Sequence, residues 1–554
     1  MRVERRNLWL AILIGAGTWI VLAATARGIP LIWDEPEYLF RADRILTWLR
    51  LLTDVGNPQG GVHALSSIVI HQYWWFTDSV EGHPAWGGAL IALGKALGGD
   101  RLHPLTAARA VPVAVFSIAC GAVAFRLKRD EGTVAAIAAP AAVLTLPRLF
   151  ADAHFAALDG QLTAWWLLLW VVDAAPGRST RKAIGVGILL GLTGATKFTG
   201  WFALGPIVAS RAIDNDRSAI RELLTIVTAA LAAFVVVNPP LWSTPVAGLV
   251  AYFRLNVGLQ DANFFGVAQA TRPPIVLRDY LFGGMQYGPL HPYLPWYNTL
   301  AWLTLATPLP TLVLGIIGLV DAVRRRVILL PLHWVTLMIL RALPGAPPYD
   351  GIRLFLPAFA FWCVLSGVGA ERVWDWSVRR GDAWRPRLAA AGLVAAFAAA
   401  AFNLSRYYPQ ALSHYSVVAG GLRGAASLGL EPTYWWDALD DDVLGWLNDH
   451  TRRGGAVAFS EIDGSHEWLL HHWGRLQPEV TSTDDGPFTW YVLQNRPSLL
   501  GDVDRALMGK ETPAFVKYPG HHTDRVPADL KVPLILVFSY EQYIRASAIA
   551  GARR

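Results

Sequence analysis

Arg2-Val-Glu-Arg-Arg-Asn7 runs straight into the apolar stretch Leu8 to Ala24, and shortly beyond it stands Trp33-Asp34-Glu35-Pro36-Glu37-Tyr38. A basic flank before an apolar run of this length reads as a membrane span that keeps its N-terminus in the cytoplasm. No small-residue cleavage site precedes Trp33, so the run is expected to stay uncleaved as a first span. The acidic segment then falls on the outer side, followed by Phe40, Ile45, Leu46, Trp48 and Leu49 with Arg41, Asp43, Arg44 and Arg50 between them. That spacing predicts an amphipathic helix lying on the outer membrane surface.

Composition agrees with a membrane reading. Of 554 residues, 53% are hydrophobic and only 16% charged, against about 25% charged in soluble globular domains. Mean hydropathy is +0.34. Disorder, a secreted disulfide scaffold and a cytosolic enzyme are excluded. Cys120 and Cys363 both lie in apolar runs and read as small buried hydrophobes. Further apolar runs at 105–125, 133–147, 157–173, 183–196, 199–210, 221–237, 299–320, 327–343, 353–370 and 388–403 bring the expected number of spans to about eleven. With alternating orientation, twenty of the 48 basic residues fall in short inner segments: the N-terminus, 126–129, 178–182, 211–221, 324–326 and 372–387. The net charge of +6 is thus orientation in a membrane, with no nucleic-acid partner required.

An odd span count places the loops 25–104 and 238–298 and the tail after Asn403 outside. The chain divides into a transmembrane domain, 1–403, and an extracytoplasmic domain, 404–554. The tail is richer in charge. It alternates a helical pattern at 437–452 with β-like runs at Ala456-Val-Ala-Phe459 and 532–538, which predicts a small α/β fold.

Candidate chemistry gathers at the outer edge. Asp34 and Glu35 are adjacent carboxylates where partial desolvation raises a carboxylate toward the range of a general base. The bland alternative is a helix cap, with Asp34 at the N-cap, Glu37 completing a capping box and Pro36 in the first turn. Asp159 stands at the outer end of the run 157–173, where an ionisable group is costly; its bland alternatives are pairing with Arg148 or snorkelling to the surface. Lys197 and Arg353 are cations on the outer side, against the usual bias, and an anionic ligand such as a lipid phosphate would account for them as well as snorkelling would. Glu81, His83, Asp152 and His154 have metal-ligand side chains without a ligand-set spacing.

Together these residues resemble the bacterial polyprenol-phosphate-sugar-dependent glycosyltransferases of the GT-C class, the group that includes the protein O-mannosyltransferases and the lipid A aminoarabinose transferase. The resemblance rests on the order of Trp33–Tyr38, Gly82-His-Pro84, the segment from Pro147 to Asp159, Ala195-Thr-Lys-Phe-Thr-Gly200, Val237-Asn-Pro-Pro-Leu-Trp242, Leu294-Pro-Trp-Tyr-Asn298, Ile352-Arg-Leu-Phe-Leu-Pro357, and Gly420–Ala425 running to Glu431-Pro-Thr-Tyr-Trp435. It departs at His83-Pro84-Ala85, where relatives carry Lys-Pro-Pro or His-Pro-Pro.

The resemblance implies a polytopic α-helical GT-C fold in the cell (inner) membrane and a polyprenyl-phosphate-linked sugar donor. The acceptor would be a lipid, glycan or protein hydroxyl in the cell envelope, with inversion at the anomeric carbon. Asp34, Glu35 and Asp159 are then the catalytic candidates, and His83, Lys197, Arg353, Trp296 and Tyr297 the substrate-binding ones. A divalent metal ion is the one cofactor the resemblance leaves room for. No nucleotide-binding fingerprint occurs. The rival reading, a secondary transporter of a lipid or sugar, expects related halves and charges near the bilayer midplane; no internal repeat is detectable, and the charges lie at the outer edge.

Overall fold

The computed structural model describes residues 2–74, 83–214, 218–256, 280–287, 294–343, 346, 350–379, 381–483, 486–521 and 526–551. Helix α1 (Arg2–Thr25) is followed by the surface helices α2 (Glu35–Leu51), α3 (Ser67–Trp74) and α4 (Trp86–Gly98). Next come α5 (Pro104–Asp130), α6 (Thr133–Thr145), α7 (Pro147–Asp152), α8 (Leu158–Asp173), α9 (Thr180–Thr196), α10 (Leu204–Asp214), α11 (Ser218–Val236) and α12 (Pro245–Asn256). After a two-stranded hairpin, β1 (Tyr280–Phe282) and β2 (Met285–Tyr287), the chain continues through α13 (Asn298–Ala306), α14 (Leu309–Arg324), α15 (Leu329–Ala342), α16 (Leu356–Arg379) and α17 (Trp384–Tyr407).

Among the described residues five helices are long and apolar enough to cross a bilayer: α1, α5, α11, α17 and the stretch Arg353–Arg379 containing α16. The apolar runs at 133–147 and 327–343 form the shorter helices α6 and α15. Two expected spans are interrupted. The run 299–320 is two helices, α13 and α14, because Thr307 precedes Pro308 and takes extended backbone (φ −92°, ψ 130°). The run 199–210 begins as a 3-10 turn, Phe198–Ala203, before α10.

Helix α16 is the central pillar, 94% buried over its apolar window. It packs on α6, α8, α14, α15 and α17. Its crossing with α14 is glycine to glycine: a Cβ on Gly318 would stand 1.9 Å from the Leu365 carbonyl oxygen, and one on Gly369 would stand 1.9 Å from that of Leu314. Without a hydrophobic drive between helices in lipid, such close backbone approach supplies the packing. Cys120 and Cys363 are buried, free thiols, as expected.

The tail is an α/β unit, also as expected. Strands β3 (Ala456–Phe459), β4 (Thr481–Ser482), β5 (Trp490–Gln494), β6 (Phe515–Lys517) and β7 (Ile535–Ser539) form one sheet in the order β4-β3-β5-β7-β6. β3 is parallel to β4 and β5, while β7 is antiparallel to β5 and β6. Helix α18 (Gly421–Ser427) precedes the sheet region, and α19 (Asp441–His450) and α20 (Gly464–His472) pack on one face. Helices α21 (Asp502–Lys510) and α22 (Tyr540–Gly551) pack on the other. β7 begins at Ile535 instead of 532, since Pro533 has no N–H to give a ladder. The helical pattern at 437–452 narrows to α19, capped by Asp440, whose carboxylate accepts from the Asp442 and Val443 N–H groups.

One buried ion pair fixes the entrance to α2. Glu35 is fully buried, and its two oxygens accept from Arg109 Nε (2.7 Å) and Nη2 (2.6 Å). They also accept from the backbone N–H of Ala156 (2.8 Å) and Ile32 (3.2 Å). Arg109, on α5, spends its remaining donors on the carbonyls of Ala26, Ile29 and Pro30. Removing one partner of a buried, hydrogen-bonded pair costs about 3–5 kcal/mol because the other charge is stranded. Glu35→Ala is therefore expected to lower the thermal unfolding temperature of the purified protein by many degrees, whereas Asp34→Asn leaves it nearly unchanged. Equal melting curves for Glu35→Ala and wild type would refute the latch.

Candidate active site

The two adjacent carboxylates of loop one point to different places. Glu35 is sealed against Arg109, with both oxygens committed, so it is a structural latch and offers no free base. Asp34 occupies the N-cap position of α2, yet its side chain makes no capping hydrogen bond. Glu37 completes no capping box and pairs instead with Arg41. Asp34 turns outward, its side chain 19% exposed, and meets the Arg353 guanidinium.

Arg353, in a 3-10 turn just before α16, gathers three carboxylates. Its Nη2 donates to Asp34, its Nε to Asp159 at 2.8 Å, and its Nη1 to Asp350 at 3.0 Å. Asp159, in the first turn of α8, is also held by Lys197 Nζ at 2.7 Å. Lys197 follows directly on α9, where extended backbone (φ −154°, ψ 146°) ends the helix. The Trp435 ring covers the guanidinium, its centroid 4.0 Å from Arg353 Cζ, a cation–π contact that also screens the cluster from solvent. Asp159 thus pairs with Lys197 and Arg353, not with Arg148. Lys197 and Arg353 both have protein carboxylates as partners, a pairing that the expectation of a lipid phosphate or of snorkelling did not include.

A second ring of residues braces this cluster. Asp350 also accepts from Arg496 Nη2 at 3.3 Å, and Arg496 Nε reaches Glu431 at 3.3 Å. Arg148 is buried among the rings of Trp302, Tyr415 and Tyr434, 5.0, 4.6 and 5.0 Å from their centroids, and its Nε donates to the His414 carbonyl. Gly351 (φ +59°) is required here, because a Cβ would lie 2.8 Å from Arg148 Nη1. Asp350, Trp435 and Trp436 also take left-handed backbone, at φ 64°, 58° and 60°. Such conformations cost about 1–3 kcal/mol each and persist where surrounding contacts enforce them. The enforcing contacts include Trp33 N–H to the Trp435 carbonyl (3.0 Å) and Trp436 Nε1 to the Glu461 carbonyl (3.2 Å).

The space between Arg148, Asp152, Asp350, Arg353, Tyr434 and Trp435 is about 10 Å³, room for roughly one water. Burial first, and then the Asp159 charge, raise Asp152 well above the usual carboxylate range, so its acid form is favoured. A divalent ion does not fit these residues. The described chain has no group of three His, Cys, Asp or Glu side chains able to hold one. The Arg353 guanidinium already sits among Asp34, Asp159 and Asp350. His154 has both ring nitrogens engaged, by the Phe150 carbonyl (2.7 Å) and the Thr25 hydroxyl (2.8 Å), and burial lowers it to about 3. Glu81 lies outside the described residues.

Three candidates are not drawn into the cluster by any described contact. His83 is half-buried ahead of α4, whose first turn abuts Leu158 and Thr196, the neighbours of Asp159 and Lys197. Trp296 and Tyr297 are 74% and 49% exposed at the start of α13. Conversely, Asp350, Trp435, Arg496 and Glu431 emerge as site residues only from the fold. Trp435 had a signal in the aromatic run Tyr434-Trp435-Trp436; Arg496, distant in sequence, had none.

No family model matches the chain, and no curated protein matches its sequence. Solved structures do. ArnT from Cupriavidus metallidurans in the apo state superposes with a TM-score of 0.50 at 14% identity, over 96% of this chain and 98% of that one. The chain has the GT-C fold. ArnT bound to undecaprenyl phosphate gives 0.47 at 14% identity over 95% and 97%, and the oligosaccharyltransferase of Archaeoglobus fulgidus in the apo form gives 0.45 at 13% over 91% and 70%. The apo ArnT superposition spans 96% of this chain, so the GT-C fold expected from the motif order is present along nearly all of it.

Asp437, which helps hold the Trp435–Trp436 corner, gives this site a pH signature. It is buried, accepts from the Thr433 hydroxyl at 2.9 Å, and is pushed by burial up to about 7. Between its ordinary value of 3.8 and about 7 the folded protein holds a proton that the unfolded chain has released, so this group lowers stability as pH rises across that window. Asp437→Asn keeps the shape without the titration. Its melting temperature relative to wild type should climb from pH 4 to pH 7, and a constant difference would contradict the assignment.

Proposed function

We propose that this chain transfers a sugar from a polyprenyl-phosphate donor to a hydroxyl acceptor on the extracytoplasmic side of the cell membrane, with inversion. The observation that carries the reading is the Arg353 bridge, which ties an outward carboxylate of loop one to Asp159 and, through it, to Lys197. The GT-C fold and the motif order support it. So does the outward placement of the cations and the tail, inferred from the basic-loop pattern.

In the resting arrangement Arg353 and Lys197 are neutralised by carboxylates, so the donor phosphate has to displace them. The donor's phosphodiester carries one negative charge, as a carboxylate does, and can accept the same two parallel hydrogen bonds from a guanidinium, so it can replace Asp34 on Arg353 without loss of charge pairing. As it takes over Arg353, Asp34 is released beside the reacting centre. Asp34 then accepts the proton of the acceptor hydroxyl while that oxygen attacks the anomeric carbon and the sugar–phosphate bond breaks. The departing polyprenyl phosphate carries the negative charge, held by Arg353 and Lys197. Asp159 positions both cations, Trp435 keeps water off Arg353, and Glu35 holds the loop that presents Asp34. His83, Trp296 and Tyr297 are proposed contacts for the donor's sugar and lipid at the membrane surface.

The same exchange gives Asp34→Asn a double signature. Release of polyprenyl phosphate from labelled donor in native-membrane vesicles should fall by about 100-fold or more, the typical worth of a general base being 10² to 10⁴. Donor affinity should hold or rise, since a competing carboxylate has left Arg353. Lys197→Ala and Arg353→Ala should each weaken donor binding by about 10- to 100-fold, the worth of one charge-assisted contact. Normal turnover in Asp34→Asn, or unchanged donor affinity in both cation variants, would sink the mechanism.

A further inference from the structure

The α/β tail holds a second polar cavity, of about 330 Å³, at the lower end of ligand-sized pockets, which run from about 300 to 1,000 Å³. Its position follows from the sheet. β3 leads through α20 to β4 on one side, whereas the neighbouring parallel strand β5 leads through α21 toward β6 on the other. Connections that depart in opposite directions leave an uncovered crevice beyond the carboxyl ends of the two strands, the place where open α/β sheets take ligands. Ser460 and Glu461 at the end of β3, and Gln494 and Arg496 at the end of β5, line the cavity.

The lining selects a class of occupant. Arg496 is the lining cation, and it is engaged with Glu431 and Asp350. Glu461 and Asp504 also line the cavity, so an anion such as a phosphate or nucleotide would meet two carboxylates. One wall is aromatic: Tyr543 packs against Phe488 and Tyr491 with ring centroids 5.2 and 4.9 Å apart. Asp504 is fixed in place, accepting from the Tyr491 hydroxyl and the Gly501 N–H, both at 2.8 Å. The side-chain amide nitrogen of Gln494, on a residue only 6% exposed, has no hydrogen-bond partner among the described residues. A buried donor left unpaired is costly unless something outside the chain satisfies it.

We infer that this cavity binds a neutral, hydroxyl-rich saccharide. A sugar ring offers C–H groups to the tyrosine and phenylalanine faces. Its hydroxyls give donors to Glu461 and an acceptor to the Gln494 amide. Through Arg496 the cavity shares Asp350 with Arg353, so an occupant lies one arginine away from the reacting cluster. Resting on the transfer reading, the occupant is the sugar portion of the acceptor, which makes the acceptor a glycan or glycolipid.

The test uses the full-length protein in nanodiscs free of glycoside detergent and without donor lipid, so that it reads the cavity independently of transfer. Saturation-transfer NMR with glucose, galactose, mannose and N-acetylglucosamine as probes should show contact with at least one. Its affinity should fall by about 10-fold in Gln494→Leu and in Glu461→Gln, with melting temperature unchanged in the leucine variant, which loses no internal bond from the amide nitrogen. The same sugar should compete with the acceptor in the vesicle assay. No contact from any probe, or unchanged affinity in both variants, overturns the inference even if transfer is observed. Binding that depends on Gln494 in a protein without transfer activity leaves the saccharide site standing and sinks the transferase reading.

Discussion

A guanidinium surrounded by three carboxylates where several helix ends converge is the constraint on which this structure turns. Arg353 leads into the buried central helix, Asp34 into the first surface helix, and Asp159 into α8, while Asp350 connects to the tail through Arg496. Helix ends far apart in sequence are thereby forced to meet at one point. Burying such charges is costly, and their mutual attraction repays it only when the geometry satisfies each group. The Glu35–Arg109 latch performs that service for loop one, and the aromatic cradle of Trp302, Tyr415 and Tyr434 performs it for Arg148. A carboxylate held by ion pairing at the end of a helix, as Asp34 is by Arg353, is positioned without being sealed in the way Glu35 is.

The tail takes part in this centre. Trp435 lies over Arg353, and the backbone of Trp33 donates to the Trp435 carbonyl, so the C-terminal portion covers the cluster that the preceding helices form. The left-handed backbone at Trp435 and Trp436 is where that closure is strained. It lies between the membrane cluster and the sheet whose crevice we assign to a saccharide, and Glu461 joins the two by accepting from Trp436.

Much of this was legible in the sequence where a physical rule forces a local outcome. Apolar runs flanked by basic residues pointed to the helices, and the short apolar β-like runs at 456–459 and 532–538 pointed to β3 and much of β7. The motif order pointed to the GT-C fold. Asp34, Asp159, Lys197 and Arg353 were legible because charge at the outer end of a span is costly enough to demand a reason. What pairs with what was not. Glu35 looks like Asp34's equal in sequence, and only Arg109 on α5 separates their roles; Arg109 was itself a signal, being an arginine in the opening turns of an apolar helix. Arg496 and Glu431 meet through tertiary folding, which no local pattern encodes, and the break at Thr307–Pro308 was masked by an otherwise continuous apolar run.

The central claim is that Arg353 and Lys197 exchange their carboxylate partners for a lipid phosphate. Native mass spectrometry of the protein extracted with its surrounding lipids tests it most directly. The account predicts a bound polyprenyl phosphate or polyprenyl phosphosugar at about one per chain, lost when Lys197 and Arg353 are both replaced by alanine. Wild-type protein carrying only bulk phospholipids, or polyprenyl phosphate retained equally by the double variant, would contradict it.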